Sequence, residues 1–527
     1  MKRITLLFLI IPLAIFSQPT GMSFLDGKFI APVGVTVTIT KDGTDNVVLV
    51  AKPNGNQTYT VTDFKFPKAY TNGEAYTLSI KSVTPGITCR IDKGIRGTIS
   101  LSPGFIRVGA DYTYDHISRS SDNKTLGTYY ESQSPVVGGD FSEEGRYVAF
   151  VSSAANLENS SGKHRQIFWR DRKTGITKMV SRVPHGDEGN GDSFAPAIAV
   201  DGQSVAFESH ASNLVTDDGN KLRDVFKWNA ADNSIVIVSS SGTASNGESY
   251  EPTISGDGNM IAFSSGASNL AAGVSDNSMI NVYLKDLSTG TIKLLTVNPV
   301  TGKAAGGSSP SISQNGTRVA FCSFASTLVE NDGNGLWDIF VYDNTTAKMQ
   351  RISMGFGGSE RMQGNESASR VVSPSVSGNG VFVAYATTAP NVVENDTNGM
   401  QDVFLTNIDL MSTVRLSTGS AGEQSNADSP IGQGEKVALS FDGSFVAFTT
   451  NATNLAVPPG NIVLRNTLSN EIIAVSKEPG ASVGRPAISR NGGYVVFGIG
   501  ARLDGRYSSS GLFANFTAKT RCLACNE

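Results

Sequence analysis

The sequence predicts an all-β chain, a seven-bladed β-propeller preceded by a small β-sandwich. Three observations predict it. The pattern V-A-F recurs seven times, beginning at Val148, Val205, Ile261, Val319, Val383, Val446 and Val495. A Gly stands three positions before each copy, at Gly145, Gly202, Gly258, Gly316, Gly380, Gly443 and Gly492, and Asp or Asn precedes it in six of the seven. The same short apolar runs then surround each copy, as in "PAIAVDG", "SVAFES", "DVFKWN" and "SIVIVSS" of the second. Asp-Gly and Asn-Gly between apolar runs signal hairpins, because both residues tolerate positive φ. Alternating β-branched and aromatic runs argue strands, and four strands per repeat in a closed ring is the logic of a propeller.

The elements follow in chain order. Lys2 and Arg3 precede 13 largely apolar residues from Ile4 to Phe16, then small and polar ones. That pattern fits a secretory signal peptide over 1–22 and is too short to span a bilayer. Residues 23–110 carry alternating runs ("VGVTVTIT", "VVLVAKP", "AYTLSIK") separated by "KDG", "PNG" and "TNG", as expected of an Ig-sized β-sandwich. The propeller is expected over 111–518. Its last repeat stops after "GLFANFTAK" without a fourth run, while "YDHISRS" at 114–120 matches the fourth run of the first repeat, "TKMVSRV". An N-terminal strand is thus expected to complete the last blade and cover its bare edge. A tail with a CxxC occupies 519–527.

Composition narrows the function. The 527 residues carry a net charge of −4 and no long basic block, which gives no electrostatic footprint for nucleic acid. No segment after the leader is long and apolar enough to cross a membrane. The four Cys are Cys89, Cys322, Cys522 and Cys525. An exported chain favours disulfides, and two pairings stand open: Cys89 with Cys522 or Cys525, or Cys522 with Cys525. Cys322, inside a strand, is expected to be a buried thiol outside any bridge. The four His fall in different repeats. "GASVG" at 480–484 has the letters of a nucleophile elbow, but it sits between strands rather than before a helix. No catalytic residue is assigned.

Three repeats carry an Asp, an Asn two residues on, and an Asp four further: Asp218, Asn220 and Asp224; Asp332, Asn334 and Asp338; Asp396, Asn398 and Asp402. Oxygen ligands at this spacing suit a hard cation such as Ca²⁺. The same residues also make Asx turns before a strand, and both readings stand. The other repeats have thinner sets: Ser160, Gly162 and Gln166 in the first, Ser275, Asn277 and Asn281 in the third.

The repeat resembles the TolB-type propeller unit of bacterial envelope proteins, in its long-loop variety. "DTNGMQDVF" from Asp396 to Phe404 fits that loop, as do "A-x-N-L" and the T-G turn. In their ligand spacing the loops also resemble the calcium loops of integrin α-subunit propellers. The N-terminal region is similar to Ig-like bacterial surface repeats, through "AYTNGEAYTLSI" and "PGITC", but it lacks their second Cys. The resemblance implies an exported, periplasmic or cell-surface protein. The expected function is non-enzymatic binding or scaffolding, with calcium-stabilised loops and a protein or glycan partner. The alternative is an extracytoplasmic hydrolase or lyase using the propeller funnel.

Overall fold

The structure, a computed structural model, describes the strands between residues 22 and 112 mainly as backbone. Most of residues 115–499 are described with side chains, and the strand Gly511–Phe516 as backbone. Residues 1–21 of the expected leader, the C-terminal tail and the side chain of Cys89 lie outside the described residues, and so does the disulfide question. The chain divides into two units, residues 1–115 and 116–527. The first holds two four-stranded sheets. One contains Tyr59–Thr71, Met22–Pro32, Ile106–Tyr112 and Ile87–Lys93; the other contains Asp45–Val50, Thr36–Lys41, Ala75–Val83 and Arg96–Thr98.

The second unit is an all-β propeller. Six of its sheets are each built from four consecutive antiparallel strands: I (133–179), II (193–237), III (249–294), IV (308–351), V (372–415) and VI (438–474). A further sheet, VII, is composite. Val483–Ile488, Tyr494–Ile499 and Gly511–Phe516 are joined by Asp115–His116 from the other end of the propeller segment. The seven V-A-F copies thus resolve into six sheets made wholly by local chain and one drawn from both ends. First strands touch first strands from I through VII, and that of VII touches that of I. They line the centre, and the short fourth strands lie outermost.

The V-A-F strand explains the ring. Its Val and aromatic residue point to one neighbouring sheet and its Ala to the other, because side chains alternate along a strand. Val205 and Phe207 pack with Tyr147, Ala149 and Trp169 of sheet I, whereas Ala206 packs with Ile261 and Phe263 of sheet III. Ala320 likewise meets Val383 and Tyr385, and Ala384 meets Val446 and Phe448. In sheets I to IV the aromatic residue also stacks on its cross-strand partner, as Phe207 on Phe226 and Phe150 on Phe168, both with centroids 5.7 Å apart. At the closure Val496 stands at the small position of sheet VII and joins Val148 and Phe150 of sheet I, together with Ile117. Cys322 is a buried thiol in sheet IV.

The hairpins form the second seam. All seven glycines are left-handed, with φ from +63° to +79°. Four also abut an aromatic ring of the preceding sheet. A Cβ at Gly202 would lie 2.1 Å from Tyr147, one at Gly443 2.6 Å from Phe382, one at Gly492 2.6 Å from Phe445, and one at Gly145 2.9 Å from Tyr494 of sheet VII. Backbone amides stitch successive hairpins, from Val200 to the carbonyl of Gly256 (3.0 Å), Gly256 to Gln314 (2.7 Å), Asn315 to Gly378 (3.1 Å), Asn379 to Phe441 (2.9 Å) and Phe441 to Arg490 (2.8 Å).

Gly202→Ala is expected to lower unfolding stability by about 2–4 kcal/mol, combining the left-handed penalty with overpacking on Tyr147. Urea denaturation checks it, and Tyr147→Ala in the same chain should recover only the steric part. A chain beginning at residue 125 lacks Asp115–His116 and Ile117. It should unfold at lower urea or aggregate, compared with one beginning at 110, because the edge of sheet VII is left bare.

Candidate functional site

Strand pairing places two sets of loops on one face of the ring. Ser209 ends the second strand of sheet II and pairs with Ser193, the start of the first, and with Asp224, the start of the third. The loop from second to third strand therefore shares a face with the link that enters each sheet. All nine residues of the Asp-Asn-Asp pattern stand in or at the end of such loops. The Asn of A-x-N-L, or of A-x-N-V in sheet V, braces this face. Asn213 donates to the carbonyl of Glu188, Asn269 to that of Ala244, Asn391 to that of Glu360 and Asn454 to that of Gln424, at 2.8–3.1 Å.

The last Asp of each trio has a structural task common to six sheets. Asp224, Asp338 and Asp402 are fully buried. Each accepts a hydrogen bond from a hydroxyl 15 residues on: Ser239 to Asp224 (2.6 Å), Ser353 to Asp338 (2.5 Å), and Ser417 to Asp402. The same pair recurs without the acid as Ser181 with Gln166, Thr296 with Asn281 and Ser476 with Asn461. The central Asn folds over that carboxylate. Asn220, Asn334 and Asn398 donate Nδ2 to Oδ2 of Asp224, Asp338 and Asp402 at 2.8, 2.9 and 2.8 Å. Their Oδ1 atoms accept the backbone amides of Leu222, Leu336 and Met400. These are Asx turns.

The first Asp separates the loops. In sheet IV, Arg351 places Nη1 2.5 Å from Asp332 and 3.7 Å from Asp338, and Nη2 2.9 Å from Glu360. In sheet V, Arg415 places Nη1 2.9 Å from Asp396 and 3.3 Å from Asp402, and 3.2 Å from Oε1 of Gln424. A guanidinium stands between the two carboxylates in both loops. Burial pushes the Asp332 and Asp396 carboxyls up, and the arginines partly offset this. In sheet II, Asp218 is pushed up by burial, with only the backbone amides of Lys221 and Asn220 opposing. Among the described residues no three His, Cys, Asp or Glu side chains converge to hold a metal. Sequence reasoning missed both arginines, although each stands 13 residues after the last Asp of its loop.

A second cluster on the same face also went unread, because its members are scattered through the chain. Arg223 lies 3.4 Å from Glu208 and 3.0 Å from Glu248, and its guanidinium stands 4.5 Å from the centre of the Tyr250 ring. Glu208 accepts the backbone amide of Glu251 at 2.7 Å, and Glu251 accepts that of Ser309 at 2.9 Å. Burial pushes the Glu208 carboxyl up and the Tyr250 hydroxyl up to about 12. "GASVG" leads into the strand Val483–Ile488 and not into a helix.

No protein-family model matches the chain, and no curated protein does. Solved structures similar to it include an oligogalacturonate lyase from Vibrio parahaemolyticus, with 10% identity over 85% of this chain and 100% of that one, at a TM-score of 0.48. TolB from Acinetobacter baumannii is 17% identical over 62% of this chain and 63% of its own, at 0.35. A protein assigned as TolB from Agrobacterium tumefaciens is 14% identical over 66% and 95%, also at 0.35. Among the described residues no helix is long and apolar enough to cross a membrane.

Arg351→Met should destabilise the ring by about 3–5 kcal/mol near neutral pH, because it leaves buried carboxylates unpaired. Burial then holds the folded pKa of Asp332 further above its unfolded value. The deficit is full above that folded pKa and fades as pH falls toward the unfolded value, where protonation removes the charge. Thermal melts of both chains from pH 7 to pH 4 check the sign.

Proposed function

We propose that this chain is an exported, non-enzymatic binding propeller of the bacterial envelope or surface, and that a protein partner docks on its loop-bearing face. One observation carries this reading. Met279, Ile280, Phe324, Phe356 and Met362 are exposed large apolar side chains in the loops and links of that face, over sheets III to V. Exposed aromatic and Met side chains on a braced surface are what protein interfaces bury at their centres. Phe324 lies 6.2 Å from Trp337, whose backbone carbonyl accepts a hydrogen bond from the fully buried Arg361, so the patch rests on a fixed base. In this reading sheet VII is a seventh blade of TolB-like long-loop type, and the N-terminal unit is an Ig-like spacer.

The cluster around Glu208 supports a second reading. A buried carboxyl whose proton affinity burial raises, beside an arginine and a tyrosine, is the equipment of acid–base chemistry on a glycan. A hydrolase or lyase of this kind should lose turnover of a polysaccharide panel on Glu208→Gln.

Cross-linking capture from envelope extract tests docking. Phe324→Ser combined with Phe356→Ser should reduce capture of the bound protein at least tenfold without lowering the melting temperature. Leu410→Ser, at an exposed turn on the opposite face, should leave capture unchanged. Equal capture by all three chains, or polysaccharide turnover that depends on Glu208, overturns the binding reading.

A further inference from the structure

The arginines that neutralise the acidic loops occupy one register position, opposite the third residue of the third strand, which is aromatic in sheets I to V and Val463 in sheet VI. Arg351 pairs with Phe340 and Arg415 with Phe404. In sheets I, III and VI, whose loops lack the first Asp, the same position holds Met179, Leu294 and Ala474. In these five sheets the arginine is present where the acid is present and absent where it is absent. Sheet II breaks the rule. It keeps Asp218 and Asp224, but Ile237 is the partner of Phe226. Ala244 also stands where sheets IV and V have Glu360 and Gln424, one residue before the residue whose carbonyl receives the loop Asn, Ser245, Arg361 and Ser425 respectively.

Asp218 therefore has no guanidinium beside it. It is only 8% exposed, and no side-chain donor meets either carboxylate oxygen; only the backbone amides of Lys221 and Asn220 face it, outside good hydrogen-bond geometry. Asp224 lies close enough to push against it. The basic residues nearby are otherwise placed. Lys221 is exposed, and Arg223 is held by Glu208 and Glu248. A buried carboxylate without a counter-charge is strongly unfavourable.

The geometry points to a divalent-cation site in the sheet II loop, in which Ca²⁺ takes the place that a guanidinium fills in sheets IV and V. The ligands are the two Asp218 oxygens, the outer lone pair of Asp224 Oδ2 and loop carbonyls, with water completing the shell. An all-oxygen set in an irregular loop suits Ca²⁺ and not Mg²⁺, which demands near-ideal octahedral geometry. Two carboxylates give a weak site of the extracellular kind, with a Kd of about 10⁻⁴–10⁻³ M. The site is independent of the docking patch, which lies over sheets III to V, and its readout requires no partner.

Calorimetric titration of the chelator-stripped full chain with CaCl₂, with MgCl₂ as control, tests it. One Ca²⁺ should bind per chain and raise the melting temperature, and Mg²⁺ should bind at least tenfold more weakly. Asp218→Asn, nearly isosteric, should abolish binding. Ile237→Arg should do the same and raise the melting temperature of the stripped protein, because it installs the missing counter-charge. Lys221→Ala should leave binding intact. No Ca²⁺ binding to the wild type, binding that survives Asp218→Asn, or loss of the Ca²⁺ effect on Lys221→Ala would overturn the assignment. Three bound ions with equal affinity would do so as well, since the guanidinium would then not be the equivalent of the ion.

Discussion

Large–small–large is the contact on which the propeller depends. In the second strand of sheets I to VI, Val or Ile and an aromatic residue lie against one neighbour and Ala against the other, and Val496 takes the small position in sheet VII. A sheet with one bulky face and one shallow face cannot bury both alone, nor can it stack flush on an inverted copy of itself. It needs the complementary face of the next sheet, in the same sense of rotation, and so does every sheet after it. Close packing punishes a mismatch in either direction. Closure follows, because an open row would leave Val148 and Phe150 of sheet I in water. Val496 and Ile117, from the two ends of the propeller segment, cover them instead.

The hairpin and loop faces are ordered by different physics. Glycine makes the hairpin face: all seven turns are left-handed, and at four of them the lack of a Cβ lets the hairpin slide under an aromatic ring of the preceding sheet. Polar brackets make the loop face. A buried Asp, Asn or Gln at the start of the third strand is held by a Ser or Thr hydroxyl 15 residues on, and an Asn from A-x-N-L ties the neighbouring link. With these brackets fixed, the remaining loop positions are free to vary in charge. They do so as matched sets, with acid and arginine together in sheets IV and V.

Of the candidate site, the loops and their face were legible in the sequence. Asn220, Asn334 and Asn398 do fold onto Asp224, Asp338 and Asp402, because each stands four residues before its Asp in one turn. What neutralises them was not legible. Arg351 and Arg415 come from a different strand, and only the antiparallel register sets them between the carboxylates. The Glu208–Arg223–Tyr250 cluster is assembled across two sheets, so no local pattern announces it.

The sequence by itself determined the strands, the hairpins and the repeat, since each rests on local chemistry: side-chain alternation, turn residues that accept positive φ, and cross-strand aromatic pairs at fixed spacing. It also signalled that the last sheet lacked a strand and that residues 114–120 could supply one. Only the tertiary structure decided which acidic loops already contain their own cation. That question turns on a distance of a few ångströms between groups on different strands, and a buried carboxylate with a guanidinium beside it reads, letter by letter, the same as one without.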